Sequence, residues 1–441
     1  MTSRSANGMK RLTSAAVLAF GVASALTFAL TAAGCSQRPK PPSEDRWLLT
    51  GTKLYVAPDI PPLENAWVVI ADGKIQDVGD ADVAKPTNIR THDECSGGVI
   101  TAGFQNSHVH LLHPALSDPA TQPAAELENF MTAMLTRFGF TTVVDTGSDI
   151  ALTTALRQRI ENADVKGPAI LTAGIPVYPH DGLPIYLRHL SPQILQMLAQ
   201  PATPEAAVEH LRKNFARGAD AVKLFVATPQ GGGEIKRMPP DIMTAAVVEA
   251  HKRGRPAMAH PTDPQGIADA VAAGVDILVH TTIDSPEPVW SAELIGRMVA
   301  NNVAVVPTLK LWRYELDKAQ APENVRAELM AASQQQLKSF SDAGGQVLFG
   351  TDVGYMTDFD PTDEYVLMAA AGLTPMQILA SLTTAPAERW SASARRGGVR
   401  AGLDADLVVL NGDPAADVRH FSDVKCTIRG GREIFVNASS N

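Results

Sequence analysis

Six side chains in this 441-residue sequence have the types and spacing of a metal centre. His108 and His110 stand as His-Val-His, and in an extended segment alternate side chains share one side, so both imidazoles can face a single cation. His260 and His280 each end an apolar run, and Asp352 follows another in Gly350-Thr351-Asp352. Lys223 lies inside Ala221-Val222-Lys223-Leu224-Phe225-Val226, where a charged ammonium is costly to bury and so needs a chemical reason. Imidazole and carboxylate donors without thiolates suit Zn²⁺, and Mn²⁺, Fe²⁺ or Co²⁺ fit the same set. A single histidine at a strand end is an ordinary residue; the case rests on the six together.

The elements that must hold them follow from hydrophobic patterning. Eight apolar runs recur through the middle of the chain: Gly98–Gly103, Thr141–Asp145, Ala169–Ala173, Asp220–Phe225, Pro256–His260, Asp276–His280, Val303–Pro307 and Gln346–Gly350. Helical patterns such as Ala124–Phe138, Pro204–Arg217, Asp241–Lys252 and Pro264–Ala273 separate them, which is the alternation of βαβ units and a parallel sheet. Eight such units predict an α/β fold of the TIM-type (β/α)₈ barrel over residues 99–397. The open doubly wound sheet is the alternative, but no glycine-rich dinucleotide loop follows the first run. All six candidate residues then fall in or just past the carboxyl ends of their strands, the face where barrel enzymes keep their active sites. Residues 47–98 and 398–441 read instead as short strands and tight turns, Ala71-Asp72-Gly73 and Gly430-Gly431 among them, and predict one small β-sandwich built from both termini.

Formal net charge is −9, and the first 34 residues hold three cations and no acid, so the remainder carries −12. That balance, with no basic stripe, excludes nucleic-acid binding as the function. Residues 1–34 have the basic start and apolar stretch of a targeting segment. Thr31-Ala32-Ala33-Gly34-Cys35 resembles a bacterial lipoprotein signal, with Ala32 where leucine is commoner. The resemblance implies lipid on Cys35, a proline-bearing tether over residues 35–46, and, from Ser36, an exported protein on the outer membrane facing the periplasm. Cys95 and Cys426 are the remaining cysteines, and one disulfide or two buried thiols are both open. The oligomeric state, a homo-oligomer included, is open as well.

His108-Val109-His110 after Ala102-Gly103-Phe104, with Lys223, His260, His280 and Asp352 in that order, resembles the amidohydrolase superfamily over essentially the whole of residues 47–436. Its imidazolonepropionase-like and Xaa-Pro dipeptidase-like branch is the most similar. The resemblance implies an N-carboxylated Lys223 whose carbamate bridges two metals, with Zn²⁺ as the expected cofactor; one metal takes His108, His110 and Asp352, the other His260 and His280. It implies hydrolysis of an amide, peptide or N-acyl C–N bond in a small-molecule substrate, a dipeptide or acylated amino acid, by a metal-bridging hydroxide, with Asp352 as the proton carrier. A cyclic amide, as in imidazolonepropionase, or a lactone or phosphotriester is the alternative substrate; a scaffold lipoprotein that has lost catalysis should also have lost ligands, and none is lost. Two departures bear on substrate and tuning: Asn106 stands where the family often has aspartate, and Pro261-Thr262-Asp263 follows His260. His113, His180 and Asp145 are candidates to reach or support the pocket, and Thr228-Pro229-Gln230-Gly231-Gly232-Gly233 is expected to overhang it as a loop or lid. The sequon Asn437-Ala438-Ser439 is taken as chance.

Overall fold

The computed structural model describes residues 46–283 and 290–438. The targeting segment, Cys35 and the tether up to residue 45 lie outside the described residues. Among these residues no helix is long and apolar enough to cross a membrane.

Strands from the two ends of the chain join in one nine-stranded sheet. Its order runs Arg432–Val436, Val424–Arg429, Leu407–Leu410, Gly98–Ala102, Trp47–Leu54, Trp67–Ala71 and Lys74–Gly79, with Leu63–Glu64 and Arg90–Thr91 also paired to Trp47–Leu54. Here the structure corrects one expectation. Gly98–Ala102 is not the first strand of the parallel set; it pairs antiparallel with Leu407–Leu410 and parallel with Trp47–Leu54. All five of its residues are buried, so its sequence has the unbroken apolar pattern of a barrel strand. Gly98 allows the close pairing, because a Cβ there would stand 2.3 Å from Leu410 O. A disulfide joins Cys95 to Cys426 across 331 residues, with Cα atoms 5.4 Å apart. Asp413 adds a second tie between the ends, accepting from Lys53 Nζ at 2.6 Å and Tyr55 Oη at 2.7 Å.

The middle of the chain carries parallel strands alternating with helices. Phe104–Val109, Phe140–Asp145 and Ala169–Thr172 form one parallel sheet; Val222–Phe225, Ala257–His260, Ile277–Val279 and Ala304–Val306 form another. Single parallel bridges link their edges: Val177 with Leu224, Val305 with Val347, and Val109 with Val353. The run Gln346–Gly350 takes part through that bridge and through Ser107 N donating to Phe349 O at 2.7 Å.

Burial alternates along these strands. Val222 and Leu224 pack in the larger core with the helices, as do Ala259 and Leu278. Ala221, Met258, Ile277 and Val279 belong to a separate inner cluster with Ala304, Val306 and Leu348. Side-chain period 2 therefore turns Lys223, two residues after Ala221, and His260, two after Met258, to the inner side. Helix starts are capped by side chains where the sequence offers them, Thr203 on Ala206 N and Asp263 on Gly266 N, each with proline in the first turn.

Candidate metal centre

His108, His110 and Asp352 present ligand atoms that all lie within 4.8 Å of one another. Asp352 Oδ1 stands 3.2 Å from His108 Nε2 and 3.0 Å from His110 Nε2. Both nitrogens of His108 and Oδ1 of Asp352 are buried without a hydrogen-bond partner. Buried polar atoms left unpaired are expensive, and His108 Nε2 and Asp352 Oδ1, which face each other, fit a cation between them better than they fit one another. The other two histidines continue the cluster: ring centroids are 5.3 Å apart for His110 and His108, 4.8 Å for His108 and His280, and 4.7 Å for His280 and His260. Lys223 is 2% exposed and makes no hydrogen bond or ion pair among the described residues; its Nζ lies over the Phe225 ring at 5.6 Å.

Backbone geometry at the ends of the strands explains the convergence. Val279 faces the inner cluster, so regular alternation would turn His280 outward. His280 instead has φ of 73°, which breaks the alternation and brings its ring in against His260 and His108. Asp352 has φ of 59° and Thr308 φ of 46°. Non-glycine residues in this region cost about 1–3 kcal/mol each, strain that the surrounding packing must hold. Gly354, two residues after Asp352, has no room for a side chain: a Cβ would stand 1.7 Å from His110 O.

Outer contacts orient the ligands. His280 Nδ1 lies 2.6 Å from Thr308 Oγ1, and His110 Nδ1 lies 3.2 Å from Gly147 O, which leaves Nε2 of each ring to face inward. Because Thr308 is engaged with His280, it does not cap the helix Leu309–Lys318 that follows it. The buried carboxylate of Glu364 does so from another helix, accepting from Leu309 N at 3.0 Å and Lys310 N at 2.7 Å. Asn106, where the family often has aspartate, accepts from His108 N at 3.2 Å and Thr351 N at 3.3 Å and donates to Thr351 Oγ1 at 2.7 Å. It thus ties the strand of His108 to the turn of Asp352. Asp145 is wholly buried and accepts from Leu111 N, Ser148, Thr153 and Thr172, fixing the backbone next to His110 from behind.

The protonation states suit metal binding. Burial, followed by the Lys223 ammonium, holds His108 and His260 down at about 3, and burial with the neighbouring His260 and His108 holds His280 well below its ordinary value. Burial pushes His110 down too, but the Asp352 carboxylate outweighs it and leaves His110 raised. Burial pushes Asp352 up, yet His108 and His110 more than offset this and hold it ionised well below the usual range. Burial lowers Lys223 from 10.5 to about 7, against the attraction of Asp352. Three neutral imidazoles, an ionised carboxylate and a lysine that easily loses its proton are in the states that bind a cation, and a metal at His110 would displace the proton that Asp352 favours there.

Other sequence candidates stand apart. His113 is exposed, accepts from Ala115 N and stacks on Phe130; His180 is exposed and pairs with Asp181. The stretch expected as a loop after Lys223 is a β-hairpin, Ala227–Gly231 with Glu234–Arg237, held to its surroundings by Thr228 Oγ1 donating to Gly182 O at 2.7 Å. Its Thr-Pro-Gln and Glu-Ile-Lys arms are short and polar, which is why periodicity did not reveal them. Sequence reasoning also missed the aromatic groups around the centre. Phe225 stacks on His260 at 4.8 Å, Tyr178 on Phe225 at 4.6 Å, and Trp312 approaches His280 at 5.9 Å. A cavity of about 1030 Å³ between the terminal sheet and the end of helix Ile150–Glu161 is lined by Arg46, Lys74, Arg395 and Arg429 and contains none of the six residues.

Comparison with known proteins identifies the family of the chain. The model of the amidohydrolase family matches residues 99–434. Ochratoxinase of Aspergillus niger is 24% identical over 425 residues, covering 86% of this chain and 85% of its own. Among solved structures, a Xaa-Pro dipeptidase with bound methionine in the active site superposes with a TM-score of 0.73 at 20% identity, covering 89% of this chain and 100% of that one. A prolidase complexed with N-methylphosphonate-L-proline gives 0.72 at 25% identity, with 89% and 100% covered.

Proposed function

This chain belongs to the amidohydrolase family, and we propose that it hydrolyses the C–N bond of a peptide-like or N-acyl amide at a two-metal centre. One cation would be held by His108, His110 and Asp352, the other by His260 and His280, with Lys223 between them. The observation that carries this reading is the convergence of unpaired lone pairs from His108 and Asp352 at the place where the other three histidine rings and a partnerless lysine gather. Two divalent cations there would activate a water and polarise the scissile carbonyl. Lys223, lowered to about 7, is largely neutral at mildly alkaline pH, so its Nζ lone pair can add to CO₂ with loss of one proton and become an anion. That converts an uncompensated buried cation into a ligand. Asp352 stays ionised, so its carboxylate can take the proton of the attacking water and deliver it to the departing nitrogen.

The frame of this proposal is a closed (β/α)₈ barrel, supported by the parallel bridges that link the edges of the two parallel sheets, and a terminal β-sandwich whose boundary with the barrel falls at Gly103 rather than residue 98. We read the protein as exported and held by lipid on Cys35; labelled palmitate taken up by the wild type and absent from Cys35→Ala is the expected result.

Metal analysis of the protein from residue 36 onward, together with a screen of dipeptides and N-acyl amino acids, tests the chemistry. About two zinc equivalents per chain with turnover is expected. Metal near zero after supply of Zn²⁺ and bicarbonate would overturn the proposal.

A further inference from the structure

We infer that the cavity between the terminal sheet and helix Ile150–Glu161 is a binding site for phosphoryl anions, carried by a lipid headgroup or by a soluble phosphate ester. The place of the cavity favours the headgroup. That choice of source rests on the lipid-anchored reading above; the site itself does not.

The cavity encloses about 1030 Å³, room enough for a small ligand. Eight arginines and lysines line it against five carboxylates, an excess of three positive charges. The chain beyond residue 34 carries −12, so this is a cationic hollow in an acidic protein. Like charges gathered in one hollow repel each other, and the confined excess draws an anion of matching charge.

The protein neutralises only part of the wall. Asp404 accepts from Lys74 and Arg395, Glu161 accepts from Arg429, and Glu433 faces His92. Arg46, Arg90, Lys166 and Arg432 make no ion pair among the described residues. Nε of Arg46 and Nε of Arg396 are buried without a hydrogen-bond partner, so neither guanidinium is fully satisfied by its neighbours. Six of the eight cations are arginines. Their planar forks offer paired N–H groups to the oxygens of one phosphoryl group, which the point charge of lysine does not.

Location separates this site from the metal centre and indicates the source. Ala163, Val165 and Gly167 in the wall lead into the amino end of Ala169–Thr172, whereas His260 stands at the carboxyl end of its strand. Arg46 is also where the described chain begins, eleven residues after Cys35. Eleven residues span at most about 37 Å, so lipid on Cys35 would keep the hollow within reach of a bilayer surface. The anions there are phosphoryl headgroups. Residues 36–45 hold Arg38 and Lys40 against Glu44 and Asp45, and so bring no net charge to cancel the excess.

The zinc-loaded chain from residue 36 onward, without lipid, is sedimented with phosphatidylglycerol and with phosphatidylcholine vesicles and titrated with fructose 1,6-bisphosphate. Binding to phosphatidylglycerol and not to phosphatidylcholine is expected. Arg90→Gln combined with Arg432→Gln, both exposed, should weaken it roughly 30-fold, with zinc content and far-UV circular dichroism unchanged. Lys213→Gln combined with Lys252→Gln removes the same charge outside the cavity and should have far less effect. Bisphosphate bound without vesicles bound supports the site and makes its source a soluble ester. No binding of either probe overturns the inference, as does an equal loss in the two double variants. Bisphosphate binding that Arg90→Gln with Arg432→Gln leaves unchanged belongs elsewhere and also overturns it. Binding seen only when Glu44→Gln and Asp45→Asn are introduced means that the chain fills its own cavity, and the inference fails. Palmitate labelling at Cys35 decides the anchor separately: its failure removes the membrane source and leaves the site to be judged on the bisphosphate.

Discussion

Replacing Lys223 with methionine should make the metal-free protein more stable while abolishing the centre. Methionine has a similar length, no charge and no hydrogen-bonding requirement, so it fills the inner face without the ammonium. In the unfolded chain Lys223 holds its proton up to about 10.5; in the fold burial lowers this to about 7. Between those pH values the unfolded state binds more protons, so stability of the metal-free wild type rises with pH. At about 1.4 kcal/mol for each tenfold change in proton affinity, burial of the charged lysine costs up to about 5 kcal/mol below pH 7. The variant also removes a favourable neighbour of Asp352, which reduces the net gain to about 2–4 kcal/mol. Urea unfolding of chelator-treated wild type and Lys223→Met at pH 6, 7 and 9 measures this. The variant should be the more stable at pH 6, and its advantage should shrink toward pH 9. A variant no more stable than wild type at pH 6, or a gap that does not narrow with pH, would refute the argument that this lysine is buried at the expense of the fold. With Zn²⁺ and bicarbonate present the order should reverse, because only wild type gains metal-binding energy.

Thr308→Val removes the hydroxyl that faces His280 Nδ1 at 2.6 Å and keeps the side-chain shape. Metal affinity should fall about 10- to 100-fold by chelator competition, with little change in far-UV circular dichroism. Asp352→Asn cannot take a proton from water, so kcat should fall about 10²- to 10⁴-fold on any substrate the wild type cleaves. Cys95→Ser, or wild type in reducing agent, loses the link across 331 residues and should unfold about 2–5 kcal/mol more easily in urea, with the zinc content of the folded protein unchanged.

Much of the centre was legible before any coordinates. His108 and His110 share a side by strand alternation, and Lys223 stood out because an apolar strand has no use for a charge; local periodicity carries that information. His260, His280 and Asp352 were legible because each ends or follows an apolar run, the family resemblance added their division between two metals, and the structure gathers the four histidines and Asp352 in one cluster. Gly98–Ala102 was misplaced because a strand buried on both faces reads alike in either sheet, and only its partners Trp47–Leu54 and Leu407–Leu410 distinguish them. The Cys95–Cys426 pairing was open for the same reason: nothing local says which residues 331 positions away will lie 5.4 Å off. The inward turn of His280 depends on a left-handed backbone, on the hydroxyl of Thr308 and, through the helix start beside it, on Glu364, contacts that span 28 to 55 residues and leave no period in the sequence. The sequence by itself determined which residues could bind metal and on which strand ends they lie, since both follow from neighbours a few residues apart. Only the tertiary structure decided how those residues are aimed and what surrounds the mouth, because aim and enclosure are set by groups that folding alone brings together.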